Sequence, residues 1–218
     1  MDKIKVALSV AKGAIFDLDG TLFDSLWVWA EIDKRFLGKR GFEVPPDYQL
    51  AIAAMGFRET AEYTIRRFGL DESPEELMNE WMDMSRDIYA HEIELKPHAK
   101  EFLLELHKRG VKLGVATSSS PDLYIPALKN NGVYELFEVL MDTSETRGKD
   151  YPDVYLAAAD KLGLNPSECV VFEDLPVALR SAKSGGFKTV AIFDGHFDLA
   201  QFADYVASGY GELLKFIK

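Results

Sequence analysis

The stretch DLDGTL, residues 17–22, directly follows the short apolar run Ala14 to Phe16. In an extended segment, side chains two positions apart point the same way, so the carboxylates of Asp17 and Asp19 are expected on the same side of the chain. Two carboxylates on one side of a cleft suit a nucleophile paired with an acid/base, or a divalent cation site. An Asp-Gly pair alone would indicate a turn, but a turn leaves the second aspartate unexplained.

Four further apolar runs have the length expected of strands buried on both faces of a parallel sheet. They are Val111 to Ala116, Val139 to Met141, Cys169 to Phe172, and Thr189 to Ile192, which leads to Asp194. Helical patterns open at Pro97, Pro152 and Pro176 between the runs. This alternation predicts an α/β fold with a three-layer, Rossmann-like parallel sheet and right-handed crossovers.

Residues 24–94 break the alternation, because they contain helical patterns and no clear strand. So long a stretch is not a loop and predicts an inserted all-helical cap domain. We therefore expect an α/β catalytic core made of residues 1–23 and 95–218, with a helical cap at 24–94. The cap is expected over the carboxyl ends of the strands, where open α/β sheets bind ligands. Its helical patterns lie around 47–53, 58–68 and 74–90.

The beginning of the cap carries two tryptophans. Asp24 and Ser25 are residues that cap helices, so a helix is expected to start directly after them. Trp27 and Trp29 cannot share one face of that helix. We expect one of them to pack inside the cap and the other to face the cleft.

Three other polar clusters stand at the ends of predicted strands: ATSSS at 116–120, RGK at 147–149 and FED at 172–174. Each has a simple structural explanation when taken alone: a serine N-cap, surface charge and a solvated acidic loop. Hydroxyls beside the N–H groups of a helix start can also bind an anion. Together with the aspartate pair, the clusters place a nucleophile, a hydroxyl, a lysine and an acidic pair at one sheet edge.

On these motifs the chain resembles the haloacid-dehalogenase-like hydrolase superfamily. The resemblance is to the branch of small-molecule phosphatases and β-phosphoglucomutase-like enzymes whose helical cap follows the first motif. It covers about residues 14–215. It implies a Mg²⁺-dependent phosphoric monoester hydrolase that acts on a small, sugar phosphate-like metabolite through an aspartyl-phosphate.

The resemblance also implies roles for the acidic residues. Asp17 is expected to attack phosphorus, and Asp19 to act as general acid and then general base. Mg²⁺ is expected on the carboxylates of Asp17 and Asp174 and on the backbone carbonyl of Asp19. Glu173 is expected as a further metal ligand or as an acceptor behind the metal.

Five other residues have roles implied in the same way. The Thr117 hydroxyl and the Ser118 N–H are expected to bind the transferring phosphoryl group. Lys149 is expected to neutralise charge between the nucleophile and the phosphate, although the following residue, Asp150, could pair with it. In the cap, Arg58 and Trp29 are candidate substrate contacts.

Composition restricts the partners. Lysine plus arginine number 25 and aspartate plus glutamate 36, for a net charge of −11, so a nucleic-acid partner is not expected. No apolar run approaches the roughly 18 residues of a membrane span. The single cysteine excludes a disulfide framework within the chain. We expect a cytoplasmic monomer that acts on a small phosphorylated substrate.

Other functions remain open at this level. A β-phosphoglucomutase-like mutase is the nearest alternative. Resembling mutases carry a histidine where Trp29 stands here, and a lysine where Ser85 stands if Tyr89 is the matching tyrosine, although Arg86 could substitute in part. A phosphorylatable signalling switch is more remote, because receiver domains are shorter and place their acidic pair on strand one. A catalytically inactive binding module is disfavoured, because all the motifs keep their functional side chains.

Overall fold

The structure is a computed structural model that describes residues 3–52, 55–193 and 199–217. The chain divides into two compact units. The core unit consists of Met1–Ser25 with Ile93–Lys218, and the helical unit is Leu26–Glu92. No helix in the described part of the chain has the length and the hydropathy needed to cross a membrane. Asp194 and residue 53, where a predicted strand and a predicted helix end, lie outside the described residues.

The core unit is built on a parallel sheet with the strand order β3-β2-β1-β4-β5-β6. The strands are β1 Gly13–Phe16, β2 Lys112–Thr117, β3 Val139–Asp142, β4 Cys169–Glu173, β5 Lys188–Ile192 and β6 Tyr205–Ala207. The helices, in chain order through both units, are α1 Lys3–Val10, α2 Val28–Lys39, α3 Tyr48–Ile52, α4 Phe57–Phe68, α5 Pro74–His91, α6 Ala99–Lys108, α7 Pro121–Asn130, α8 Asp153–Lys161, α9 Pro176–Ser184 and α10 Tyr210–Ile217. The predicted α/β fold, a parallel sheet with flanking helices, is confirmed.

Strand β1 occupies the middle of the sheet, and every residue of β1 and of β4 is buried. Its register pairs Phe16 with Val115 of β2 on one side and with Phe172 of β4 on the other. The rings of Phe16 and Phe172 stack with their centroids 4.4 Å apart. This packing fixes where β1 ends, and the residues that follow it emerge between the ends of β2 and β4.

Three elements of the core unit were not among the predictions, namely strand β6 and helices α1 and α10. Strand β6 has only three residues, Tyr205–Ala207, and two of them are half-buried, so it lacks a clear apolar run. Helix α1, at Lys3–Val10, precedes the first strand and buries Ile4 and Leu8. Strand β6 is the edge strand of the sheet, where partial burial leaves a weak pattern in the sequence.

The helical unit contains α2 to α5 and has its own apolar interior. Helix α5 begins with a capping box, in which Ser73 and Glu76 exchange side-chain and backbone hydrogen bonds ahead of Pro74. Its residue Trp81 is 2 % exposed and packs edge-on against Phe36 of α2, with ring centroids 5.4 Å apart. This aromatic contact joins two helices that are distant in sequence.

The start of the helical unit differs from the prediction. Helix α2 begins at Val28, and Ser25 does not cap it, because its hydroxyl bonds to Asp19 instead. The expectation that Trp27 or Trp29 packs inside the cap was also wrong. Their exposures are 37 % and 48 %, and the buried tryptophan of the helical unit is Trp81.

Candidate active site

The site lies at the carboxyl ends of the central strands of the core unit. Asp17 follows β1, and its N–H donates a hydrogen bond of 3.0 Å to the carbonyl of Phe172, which extends the pairing with β4 by one residue. Glu173 is the last residue of β4, and Asp174 comes next. Parallel pairing therefore brings three carboxylates from two neighbouring strands to one edge of the sheet.

The carboxylates of Asp17, Glu173 and Asp174 form a compact, buried cluster. One oxygen of each lies within 4.8 Å of the others. Carboxylate oxygens at this spacing are the hard ligands that Mg²⁺ and Ca²⁺ prefer, so the cluster can hold a divalent cation. Burial raises the pKa of Asp17 well above its ordinary value, although the charge of Lys149 opposes the change.

Lys149 is the cation inside this cluster. Its ammonium group contacts Asp17 and Glu173, and its side chain is almost fully buried. Burial lowers the pKa of Lys149, but the two carboxylates outweigh burial and hold that pKa above its ordinary value. Lys149 is therefore charged at neutral pH. Asp150, the residue that could have competed for it, is exposed.

Glu173 is surrounded by hydrogen-bond donors. Its Oε1 accepts a hydrogen bond from Lys149 and another, of 2.8 Å, from the hydroxyl of Tyr155. Its Oε2 accepts from the backbone N–H groups of Asp174 at 3.1 Å and Leu175 at 3.4 Å. A carboxylate with no exposure needs such donors, because a buried charge without partners is strongly unfavourable.

Two hydroxyls contact the other acidic residues. Ser25 Oγ donates to Asp19 Oδ1 at 2.7 Å, and Asp19 itself is half-buried. Thr21 Oγ1 donates to Asp174 Oδ1 at 3.3 Å. The backbone carbonyl of Thr21 accepts from the hydroxyl of Tyr210, at 3.2 Å. Three hydrogen bonds thus fix the DLDGTL turn in place.

The predicted phosphate-binding residues end the strand next to β1. Thr117 is the last residue of β2 and is buried, and its Oγ1 accepts the N–H of Ser119 at 3.0 Å. That bond uses an oxygen lone pair, so the hydroxyl hydrogen of Thr117 is left to donate to a ligand. Ser118 is exposed in the loop that leads to α7.

The two predicted cap contacts belong to the helical unit. Arg58 lies on α4 with its side chain 58 % exposed, and it pairs with Glu75 at 2.7 Å and more loosely with Glu62 at 3.5 Å. Trp29 packs edge-on against Phe57, with ring centroids 5.7 Å apart. Both residues are therefore on the surface of the helical unit.

Sequence reasoning missed several residues that contact the site, namely Thr21, Ser25, Tyr155 and Tyr210. Thr21 lies inside the quoted motif and could have been singled out there. Tyr155 and Tyr210 lie on helices among apolar residues, and their patterns indicate only a core position. Only the fold shows that their hydroxyls donate to Glu173 and to the carbonyl of Thr21.

This arrangement defines an α/β protein with a buried acidic site, able to hold a cation, at the carboxyl ends of a parallel sheet. Residues 14–192 match the family model described as haloacid dehalogenase-like hydrolase. The chain therefore belongs to the haloacid dehalogenase-like hydrolase family.

Individual relatives agree with this placement. Hexitol phosphatase A of Escherichia coli (strain K12) is 32 % identical over 184 residues, which cover 83 % of this chain and 82 % of the relative. A probable pseudouridine-5'-phosphatase of Drosophila melanogaster is 26 % identical over 214 residues, covering 90 % and 92 %. The crystal structure of a putative beta-phosphoglucomutase from Thermotoga maritima superposes with a TM-score of 0.85 at 22 % identity, covering 94 % and 97 %. The last comparison concerns the fold alone.

Proposed function

We propose that the protein is a Mg²⁺-dependent phosphatase that hydrolyses a small phosphorylated metabolite, similar to a sugar phosphate, through an aspartyl-phosphate on Asp17. The observation that carries this proposal is the contact between Asp17 and the buried ammonium group of Lys149, inside a cluster of carboxylates. A buried lysine orients one aspartate oxygen and supplies positive charge where a phosphate would bind. Relatives that are named as phosphatases support the same reaction class.

In the first half-reaction, a carboxylate oxygen of Asp17 attacks phosphorus, and the bond from phosphorus to the ester oxygen breaks. Asp19 gives its proton to that leaving oxygen, which departs as an alcohol. Thr117 donates a hydrogen bond to the transferring group, and the Ser118 N–H supplies a second. Ser25 holds Asp19 through its 2.7 Å hydrogen bond during this step.

In the second half-reaction, a water molecule attacks the phosphorus of the aspartyl-phosphate. Asp19, now a carboxylate, takes a proton from that water. The bond between phosphorus and the Asp17 oxygen breaks, which releases inorganic phosphate and restores the carboxylate. One residue thus serves as acid and then as base, and the site returns to its starting state.

The donor set fits Mg²⁺. The carboxylates of Asp17 and Asp174 would hold the ion together with the backbone carbonyl of Asp19. When bound, Mg²⁺ supplies positive charge against the developing charge on the phosphoryl oxygens. The hydrogen bond from Thr21 orients Asp174 for this role. Lys149, whose ammonium group contacts Asp17, contributes a second positive charge.

The helical unit is proposed to act as the cap that selects the leaving group. The sequence assigns residues 24–94 to it, and Arg58 and Trp29 are its proposed substrate contacts. Both are exposed, and each is backed by a neighbour, Glu75 for the arginine and Phe57 for the tryptophan. The cytoplasmic location and the monomeric state remain predictions.

A mutase function finds less support in the helical unit. A mutase needs cap groups that grip the second phosphate of its intermediate. If Tyr89 is the matching tyrosine, Ser85 takes the position of the mutase lysine, and Ser85 is buried and donates to the carbonyl of Met82 at 2.9 Å. Neighbouring Arg86 pairs with Asp83 at 2.8 Å. The phosphatase reaction is therefore the function we propose.

Phosphate release from a panel of sugar phosphates, nucleotides and cofactor phosphates tests the proposal. The wild type should release phosphate with Mg²⁺, stop with EDTA, and recover when Mg²⁺ is restored. Asp17→Asn should abolish turnover and leave the circular dichroism spectrum unchanged, because the nucleophile is lost without a change of shape. Asp150→Asn, a change of an exposed neighbour of Lys149, is the matched control and should keep activity. Steady turnover by folded Asp17→Asn would refute the nucleophile assignment.

A further inference from the structure

Tyr155 contacts the acidic cluster from the interior of the core unit. It lies on α8 with no exposed surface, and its ring packs edge-on against Phe187 with centroids 6.3 Å apart. Its hydroxyl donates to Glu173 Oε1 at 2.8 Å. The ammonium group of Lys149 lies 5.9 Å from the centroid of the same ring. Tyr155 therefore contacts Glu173 directly and flanks Lys149.

A metal ion and Lys149 would compete for the carboxylates of this cluster. Three carboxylates lie within reach of one cation site, yet one lysine must also keep an anionic partner in order to stay charged while buried. Glu173 has both oxygens engaged by donors: Lys149 and Tyr155 on one, two backbone N–H groups on the other. A carboxylate held in this way has no oxygen directed freely toward a metal ion.

We propose that Tyr155 is a positioning residue that reserves Glu173 for Lys149 and keeps it from serving as a metal ligand. Two backbone N–H groups fix one oxygen of Glu173, and the tyrosine hydroxyl fixes the other. Lys149 is then held against Asp17 in one orientation. The carboxylates of Asp17 and Asp174, with the backbone carbonyl of Asp19, would then be left to hold the metal ion. This inference rests on the proposed phosphatase function.

The effect of losing the hydroxyl follows from this geometry. Tyr155→Phe keeps the ring and its packing and removes one hydrogen bond to a buried charge. Such a bond is among the stronger ones in proteins, so we expect kcat to fall about tenfold. Glu173 would also gain a free lone pair and could turn to the metal. Ca²⁺ accepts more oxygen ligands than Mg²⁺, so the added ligand should favour Ca²⁺.

The matched control is Tyr48→Phe in the helical unit. Tyr48 is also a tyrosine without exposed surface, and its hydroxyl pairs with Thr64 at 2.6 Å. This variant loses the same group and a similar buried hydrogen bond, whose partner is Thr64 of the helical unit and not a carboxylate of the acidic cluster. We expect it to retain kcat within about twofold, because the lost bond stabilises the fold and not the site.

The experiment measures kcat for wild type, Tyr155→Phe, Tyr48→Phe, Glu173→Gln and the double variant Tyr155→Phe/Glu173→Gln, by single-turnover phosphate release where turnover is slow. If Tyr155 acts through Glu173, Tyr155→Phe should cost about tenfold alone and less than about twofold beside Glu173→Gln. Equal losses in both backgrounds, or wild-type kcat in either single variant, would overturn the proposal. Wild-type protein without phosphatase activity would instead contradict the proposed function.

Calorimetric titration with Mg²⁺ and Ca²⁺ gives a readout that needs no turnover. The ratio of the two dissociation constants should shift toward Ca²⁺ by about tenfold in Tyr155→Phe. It should stay within about twofold of wild type in Tyr48→Phe. An unchanged ratio in folded Tyr155→Phe would show that Glu173 is not held away from the metal by the tyrosine, and the proposal would fail.

Discussion

Asp33 should make the stability of the helical unit depend on pH. This residue of α2 is 7 % exposed, and it accepts a hydrogen bond from Gln49 Nε2 at 2.5 Å. Burial raises its pKa from 3.8 to about 6, although the bond from Gln49 opposes the change. A carboxyl group whose pKa is higher in the folded state than in the unfolded state favours folding least when it is ionised.

The sign and size of the effect follow from these two values. Below about pH 4 the group is protonated in both states and has no effect. Between about pH 4 and pH 6 the folded state loses stability, and above that range the loss is constant. The difference between 3.8 and about 6 corresponds to about 3 kcal/mol. Asp33→Asn removes this loss but buries an amide, so we expect a net gain of about 2 kcal/mol at pH 7.5.

Urea unfolding followed by tryptophan fluorescence is the suitable assay, because Trp27, Trp29 and Trp81 are the tryptophans of the chain and all lie in the helical unit. The variant should exceed wild type by about 2 kcal/mol at pH 7.5 and should be up to about 1 kcal/mol less stable than wild type at pH 4, where only the cost of the buried amide remains. Asp47→Asn is the matched control. Its carboxylate is exposed and pairs with Arg67, which lowers the pKa of Asp47, so its replacement should not stabilise. A difference for Asp33→Asn that does not vary with pH would refute the reasoning.

Two further predictions concern the reaction. Asp19→Asn should slow both half-reactions, but phosphorylation by p-nitrophenyl phosphate should suffer less than phosphorylation by a sugar phosphate, because nitrophenol needs little protonation. Equal losses for both substrates in single-turnover experiments would contradict the acid role of Asp19. β-Glucose 1-phosphate, if accepted, should yield free phosphate and not glucose 6-phosphate, since a buried serine, Ser85, replaces the mutase lysine if Tyr89 is the matching tyrosine. A coupled glucose-6-phosphate dehydrogenase assay with a bisphosphate primer measures this. Glucose 6-phosphate forming faster than phosphate would favour the mutase.

The sequence identifies most directly the site residues that come immediately after a predicted strand. Asp17, Thr117 and Glu173 each end a short apolar run, and parallel strands bring such ends to one edge. The apolar runs themselves predicted five strands; β1 and β4 are buried throughout, while the edge strand β3 alternates buried and half-buried residues. Lys149 follows no such run directly, and only its place among the other motifs singled it out.

Local patterns failed where a side chain has a distant partner. Ser25 has the chemistry of a helix cap, yet its hydroxyl bonds to Asp19, and α2 starts three residues later. Tyr155 lies on an apolar stripe and reaches Glu173, eighteen positions further along the chain. No propensity or spacing rule records such a contact, because the partner is chosen by the packing of α8 against the sheet.

A chain with a net charge of −11 needs local positive charge to bind a phosphate ester, and the charge of the acidic cluster shows how much is needed. The cluster holds three carboxylates and one ammonium group, which together carry −3 + 1 = −2 when all are ionised. A phosphate dianion would be repelled by this site alone. A divalent cation would bring the sum to zero, and Thr117, a proposed phosphate contact, would then need to supply only hydrogen bonds. Burial raises the pKa of Asp17, the proposed nucleophile, so a further cation nearby would favour its ionised form and strengthen the coupling. Metal and phosphate should therefore bind cooperatively, each raising the affinity for the other by the same factor.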